Sequence, residues 1–413
     1  MRAVAGVALA VAMLALNGRV LAAPAPPPPP PPADVVRAAW QAVRDHYFDP
    51  GLGGVAWDEA LRARSLARAA APDADGYRLA AEMVASLGDP LTVVVEPSAR
   101  ATQVPSSPRV QVVGIGVRLS TGPEEYPLVR QVLPGGPAAR GGVWAGALVV
   151  AVDGRPTQGR PLDEVAAEIR GAAGTRVRLQ LERADGSRVS VELTRQAVAW
   201  EPRAVSRVLD GNVGYLHLPH FHPGMETAAL AELRKLYRTR ALILDLRDSS
   251  GAGAYASLSH IAGLLTDQPL GLWVTRQGLV GLPSQRATAS ANPLVPAPTS
   301  ADRYEQPVAI LIDEVSAFGL MAFGLRQSGR AVLVGRPTRP GAGELAATLE
   351  LPGGGLVQVT TGRFYSARGD PLVGPVVPDV TVPLDRDYLR AWEAGQDPDV
   401  AQAIALLRRR GAL

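Results

Sequence analysis

The groups able to do chemistry in this 413-residue chain are few. It has no cysteine, which excludes a thiolate nucleophile, thiolate metal sites, disulfides and a lipid-modified cysteine. All but one of its 42 basic residues are arginine, and the one lysine is Lys235. The five histidines are His46, His217, His220, His222 and His260. A serine hydroxyl becomes a nucleophile only beside a group that can take its proton, and a guanidinium cannot. His217, His220 and His222 are close enough in sequence to suggest zinc. Strand alternation sends His217 to the face opposite the other two, and no carboxylate accompanies them, so neither a metal nor another cofactor is expected. Two short polar stretches follow apolar runs: Asp245-Leu246-Arg247-Asp248 and Asp313-Glu314-Val315-Ser316.

Those runs belong to a βα alternation across residues 198–385. Val213 to Leu218, Ala241 to Leu246, Val308 to Ile312 and Ala331 to Val334 read as strands. Met225 to Tyr237, Tyr255 to Leu265 and a segment from Ala317 read as helices. An α/β sheet of this kind binds ligands beyond the carboxyl ends of its strands, which is where both polar stretches fall.

Ahead of this core, residues 109–197 read as a separate β-rich unit with two helices. Val113-Gly114-Ile115-Gly116 is short and rich in glycine, so its backbone N–H groups can converge on one point and hold an anion. Asp153-Gly154 marks a tight turn, and Leu162, Val165, Ala166 and Ile169 share one helix face. Residues 34–108 form a helical segment in which Asp34 is placed to cap a helix with Val36, Trp40, Val43 and Tyr47 along one stripe, and a second helix starts near Trp57. Residues 1–22 read as a signal peptide, with Arg2, an apolar stretch and small residues before Pro24. The apolar stretch is shorter than the roughly 20 residues needed to cross a bilayer. A proline-rich linker, residues 23–33, follows, and residues 386–413 read as a closing helix. The expected protein is therefore secreted or periplasmic and keeps no membrane span after cleavage. A net charge of +3 argues for no nucleic-acid partner.

Taken together, Leu87-Gly88-Asp89-Pro90, the ordered glycine and apolar motifs of residues 109–197, Leu244-Asp245-Leu246-Arg247 with Gly251, and Asp313-Glu314-Val315-Ser316-Ala317 resemble the C-terminal processing peptidases, or tail-specific proteases. The resemblance implies an α/β peptidase core joined to a PDZ domain whose loop Val113 to Gly116 takes the carboxylate of an unstructured protein C-terminus. It also implies a serine nucleophile at Ser316, activated by a neutral lysine, with oxyanion donors at the N–H of Ala317 and of Gly251 or Ala252. A second register puts Phe318 at the nucleophile.

This sequence departs from the pattern at the base. The family lysine falls on Ala342 and the following glutamine on Ala346, and Leu91 stands where a histidine would act in relatives of tricorn type. Lys235 lies in the wrong motif, and His260 is the histidine best placed to substitute. Two functions follow from the sequence. One is a catalytically degenerate peptidase that recognises C-terminal tails. The other is an active serine endopeptidase, cleaving the tails of envelope proteins with a non-standard base.

Overall fold

The computed structural model describes residues 30–55, 57, 59–71, 74–97, 110–200, 202–220, 222, 224–249, 255–282, 300–316, 318–411 and 413. The leader and most of the proline run lie outside the described residues, as do Gly251, Ala252 and Ala317.

The N-terminal region holds α1 (Pro32–His46), α2 (Glu59–Ala69), α3 (Gly76–Ala85) and the strand β1 (Val93–Val95). The apolar stripe of α1 is buried, with Val36, Trp40 and Val43 packed among Leu79, Met83 and Val84 of α3. The helix starts before Asp34: Pro32 occupies its first turn, where a missing N–H leaves no bond unmade. Asp34 is a first-turn acid paired with Arg37 at 2.9 Å and not the cap.

A β-rich domain follows, made of β2 (Val110–Gly114), β3 (Val117–Thr121), β4 (Pro127–Val132), α4 (Pro137–Arg140), β5 (Leu148–Val152), β6 (Arg155–Pro156), α5 (Leu162–Ile169), β7 (Arg176–Glu182), β8 (Arg188–Thr194) and β9 (Gln196–Trp200). Its main sheet runs β3-β4-β5-β7-β8, while β2 and β9 form a separate ribbon. Asp153 and Gly154 turn the chain between β5 and β6 at φ 47° and 83°, a conformation that an Asp-Gly pair tolerates. On α5, Val165 and Ile169 enter the domain core with Val149, Leu179 and Leu181. Strand β3 ends the sheet, and α5 packs beside it.

The core contains β10 (Val205–Leu209), β11 (Val213–His217), α6 (Met225–Arg234), β12 (Ala241–Asp245), α7 (Tyr255–Gly263), β13 (Gly271–Thr275), β14 (Gly278–Leu282), β15 (Val308–Ile312), α8 (Gly319–Gln327), β16 (Ala331–Gly335), β17 (Glu344–Glu350), β18 (Leu356–Ser366), β19 (Val380–Thr381), α9 (Arg386–Glu393) and α10 (Pro398–Arg409). One sheet has the order β10-β11-β12-β15-β16-β19 and is parallel from β11 onward. Every residue of β12, β15 and β16 is buried, as parallel strands covered on both faces require. Helices α6, α7 and α8 cover one face. On the other, Ile243 and Leu311 meet Tyr388 and Leu389 of α9 and Leu407 of α10 in a cluster that also takes in Leu128, Leu148 and Val150 of the β-rich domain. That domain is thus docked on the core through shared apolar surface. A second, antiparallel sheet, β1-β18-β13-β14 with β17 on β18, joins the N-terminal helices to the core.

Three boundaries differ from expectation. The closing segment is two helices, broken at Gly395 (φ 78°), with Asp397 capping the second through the N–H groups of Asp399 and Val400. Helix α8 begins at Gly319 with Phe318 as its N-cap residue, two positions later than the apolar pattern suggested. Strand β11 ends at His217, so alternation does not carry on to His220 and His222.

Candidate functional site

The carboxyl ends of β12 and β15 meet at a buried charge cluster. Asp313, fully buried just past β15, accepts the N–H of Asp248 at 3.2 Å and of Val315 at 3.2 Å. Its outer partner comes from the β-rich domain: Arg130 on β4, 6% exposed, reaches Asp313 at 3.1 Å and Asp248 at 3.0 Å, and stacks over Trp392 of α9. Arg118 of β3 donates to the Asp248 carbonyl at 2.7 Å. Asp248 holds φ at 55°, a left-handed conformation that points its N–H to Asp313 and its C=O to Arg118. Burial, reinforced by the Asp248 charge, pushes the Asp313 carboxyl up to about 6 despite the opposing pull of Arg130.

Ser316 lies beneath the same turn, 5% exposed. Its hydroxyl accepts from the Asp313 N–H at 2.9 Å, and it faces two acceptors, the Leu246 carbonyl and Asp313 Oδ1, each also at 2.9 Å. These bonds knot the turn to the end of β12. Phe318, at the alternative register, is a buried ring in the central core.

The turn that carries Ala342 packs against the start of α8. A Cβ built on Gly319 would lie 3.1 Å from the Ala342 methyl, 3.1 Å from Val376 Cγ2 and 3.2 Å from Thr338 Cγ2. Gly341, at φ 104°, has Leu91 over it, with a built Cβ 3.0 Å from both Leu91 methyls. Both positions compared with a family base therefore converge on one place beside α8, and both are apolar. Ala346 sits on β17, exposed. Glu344 between them is paired across the sheet with Arg363, and burial raises its carboxyl above the ordinary range.

Lys235 ends α6 at the surface, 62% exposed and bonded to Glu232 at 2.5 Å. His260 is buried on α7, and burial lowers its pKa. His220 and His222 stand with ring centroids 5.7 Å apart, and the pKa of His220 is lowered by burial and by the neighbouring charges of His222 and Arg118.

The Asp-Leu-Arg stretch serves architecture. Arg247 donates to Asp245 and Asp399 at 2.6 Å and to Asp397 at 2.7 Å, and Arg336 adds a second contact to Asp399 at 3.0 Å. This network ties α10 to the ends of β12 and β16. Although burial opposes it, the two guanidiniums hold the Asp399 carboxyl below the usual range.

In the β-rich domain, Val113 to Gly116 forms the bend between β2 and β3. Ile115 is buried and its carbonyl accepts the Ala138 N–H at 2.8 Å, while the Gly116 carbonyl accepts from Leu133 at 2.9 Å. Gly116 holds φ at 80°. The bend is thereby pinned to the domain, at one end of the groove between β3 and α5.

Sequence comparison agrees with this architecture. A carboxyl-terminal-processing protease of Picosynechococcus sp. (strain PCC 7002) is 30% identical over 393 residues, covering 92% of this chain and 90% of that protein. The chain belongs to the carboxyl-terminal-processing proteases. The model of peptidase family S41 matches residues 212–382, and a PDZ domain model matches residues 128–183. The chloroplastic carboxyl-terminal-processing peptidase 2 of Arabidopsis thaliana is 28% identical over 377 residues, covering 86% of this chain and 69% of that one. Among solved structures, the photosystem II D1 C-terminal processing protease superposes with a TM-score of 0.56 at 26% identity, covering 86% of this chain and 94% of its own.

Sequence reasoning missed Arg130 and its two carboxylates. The signal was there: an arginine inside the apolar strand Leu128-Val129-Arg130 needs a buried counter-charge, and Asp248 and Asp313 stood at the sheet end facing it.

Proposed function

We propose that this protease-family member is exported, recognises unstructured protein C-termini through its PDZ domain and is catalytically degenerate. The observation that carries this reading is the apolar packing at the base position, where Ala342 lies against Gly319 at the start of α8, Leu91 covers the adjacent Gly341, and neither side chain can accept a proton. The chain's one lysine lies at the surface at the end of α6, bonded to Glu232. The end strand β3 with α5 beside it supports peptide binding by strand addition. Export rests on the N-terminal sequence, where an apolar stretch precedes small residues and a proline run.

One observation favours the alternative, a serine-type endopeptidase with a non-standard base. Asp313 Oδ1 lies 2.9 Å from the Ser316 hydroxyl, and its carboxyl is pushed up to about 6, into the range where a carboxylate accepts protons near neutrality.

The test is incubation of the mature protein with an unfolded substrate ending in an apolar C-terminus, beside Ser316→Ala and Ala342→Lys variants. Under the first reading the unmodified protein binds but does not cleave, and Ala342→Lys is the variant in which activity is sought. Cleavage by the unmodified protein that disappears in Ser316→Ala would establish the alternative.

A further inference from the structure

Arg170, the C-cap residue of α5, projects over the bend at the end of the PDZ groove. Its Cγ lies 3.8 Å from where a Cβ on Gly114 would stand, so the aliphatic stem crosses the one residue of the bend's first half that has no side chain to block it. The helix end beneath it is fixed. Arg195, 8% exposed, donates to the carbonyls of Glu168 at 2.7 Å and Ile169 at 2.9 Å, and the Arg170 N–H closes the last helical bond to Ala166 at 3.0 Å.

Neighbouring arginines of this domain already have partners. Arg160 pairs with Glu168, Arg176 and Arg178 with Glu192, and Arg188 with Glu182. Arg140, near the same bend, is held by Gln196 and the Gly135 carbonyl. Among the described residues no carboxylate lies within ion-pair distance of the exposed Arg170 guanidinium. Val117 and Leu119 of β3 and Leu162 and Ala166 of α5, all half-buried, leave an apolar trough leading to it.

We propose that Arg170 is a specificity-determining residue, a side-chain counter-charge that makes the groove select peptides with a free α-carboxylate over internal or amidated segments. The inference rests on the peptide-binding reading of this domain. An apolar last side chain fills the trough, the peptide chain pairs along β3, and the terminal carboxylate lies between the backbone of Val113 to Gly116 and the guanidinium.

The test is fluorescence anisotropy of the full mature protein with a labelled ten-residue unstructured peptide ending in valine, as the free acid and as the C-terminal amide. The unmodified protein is expected to prefer the acid, with the preference shrinking from 50 to 500 mM salt as an exposed charge pair is screened. Arg170→Gln should weaken acid binding by about five- to tenfold, leave amide binding unchanged and remove the salt dependence, while Arg170→Lys keeps most of the preference. Equal binding of acid and amide by the unmodified protein, or an acid preference that survives in Arg170→Gln, overturns the role of Arg170 while peptide recognition stands. Binding of neither peptide overturns the recognition reading, and the role of Arg170 with it.

Discussion

Replacing Arg130 by methionine removes the one ion-pair partner of Asp313 among the described residues and keeps a similar apolar volume beside Trp392. A buried carboxylate stripped of its partner costs about 3–5 kcal/mol if it must stay ionised. Asp313 has another course, because burial and Asp248 already push its carboxyl up to about 6, and without Arg130 it rises further and takes up a proton. In the unmodified protein the folded pKa lies above the unfolded value near 3.9. Its contribution to stability is therefore fully present below about pH 4 and is lost as pH rises through 6. In the variant the loss begins at the same pH but continues past pH 6, so the folded variant binds up to one more proton than the folded parent between pH 6 and 8. The destabilisation caused by Arg130→Met then grows with pH by up to about 2.3 kcal/mol over those two units, a little under 1.36 kcal/mol per unit because Asp313 of the parent is still half protonated at pH 6, and flattens below pH 5. Urea denaturation followed by tryptophan fluorescence at pH 5, 6, 7 and 8 measures this directly, and Arg130→Met in an Asp313→Asn background should show no such slope. A destabilisation that is flat or shrinks from pH 6 to 8 would refute the reasoning, because Asp313 would then not be the group left behind.

Ser316→Ala takes the acceptor from the buried Asp313 N–H and should cost about 1–3 kcal/mol, read as a lower urea midpoint whether or not the protein cleaves anything. Asp399→Asn takes the shared carboxylate from Arg247 and Arg336, leaving Arg247 with Asp245 and Asp397 and Arg336 with Glu314 at 3.7 Å, and should destabilise by about 3–5 kcal/mol. Proteolysis should then begin in α10. Because the carboxyl of Asp399 is held below its usual range in the folded protein, the stability it contributes is present above about pH 3.9 and is lost as pH falls below that value, so acid should mimic the variant. Gly335→Ala places a Cβ 2.1 Å from the Ile312 carbonyl at φ 126°, in the middle of the parallel sheet. It should cost about 3 kcal/mol or abolish soluble expression, whereas Gly369→Ala, with open space around it but φ at 87°, should cost about 1–2 kcal/mol from backbone strain alone.

The sequence made the core legible where one physical demand dominated. Runs such as Ala241 to Leu244 and Val308 to Ile312 are apolar throughout because helices cover both faces, and a run with no polar interruption has no other reading in an α/β alternation. The Asp-Gly turn at 153–154 was equally plain, since few residue pairs tolerate two positive φ values. Less legible were features decided by partners distant in sequence. Arg247 looks like a site residue until Asp397 and Asp399, some 150 positions on, are seen to occupy it. The start of α8 slipped by two residues because Phe318 is drawn into the central core and its backbone leaves the helical region at φ −116°, ψ 40°. Alternation failed for the histidines because it presumes a strand that stops at His217.

The carboxyl ends of parallel strands are where an α/β sheet meets its ligand, since the polar loops there face an open crevice. Here the ligand that Asp248 and Asp313 meet is part of the same chain. Arg130 and Arg118 come from β4 and β3, so β4 is bonded directly to the turn that carries Ser316, through Asp313, and β3 to the turn after β12, through Asp248. The contact lies in the interior: Arg130 is 6% exposed, and the apolar cluster of Leu128, Leu148 and Tyr388 seals the same interface. Two domains joined by a desolvated ion pair and a shared core do not separate without exposing both, which costs several kcal/mol. Hence a peptide laid along β3 lies on a strand whose own Arg118 is anchored on Asp248. Under the peptide-binding proposal, Arg118 is the side chain that would pass a movement of β3 to the end of β12.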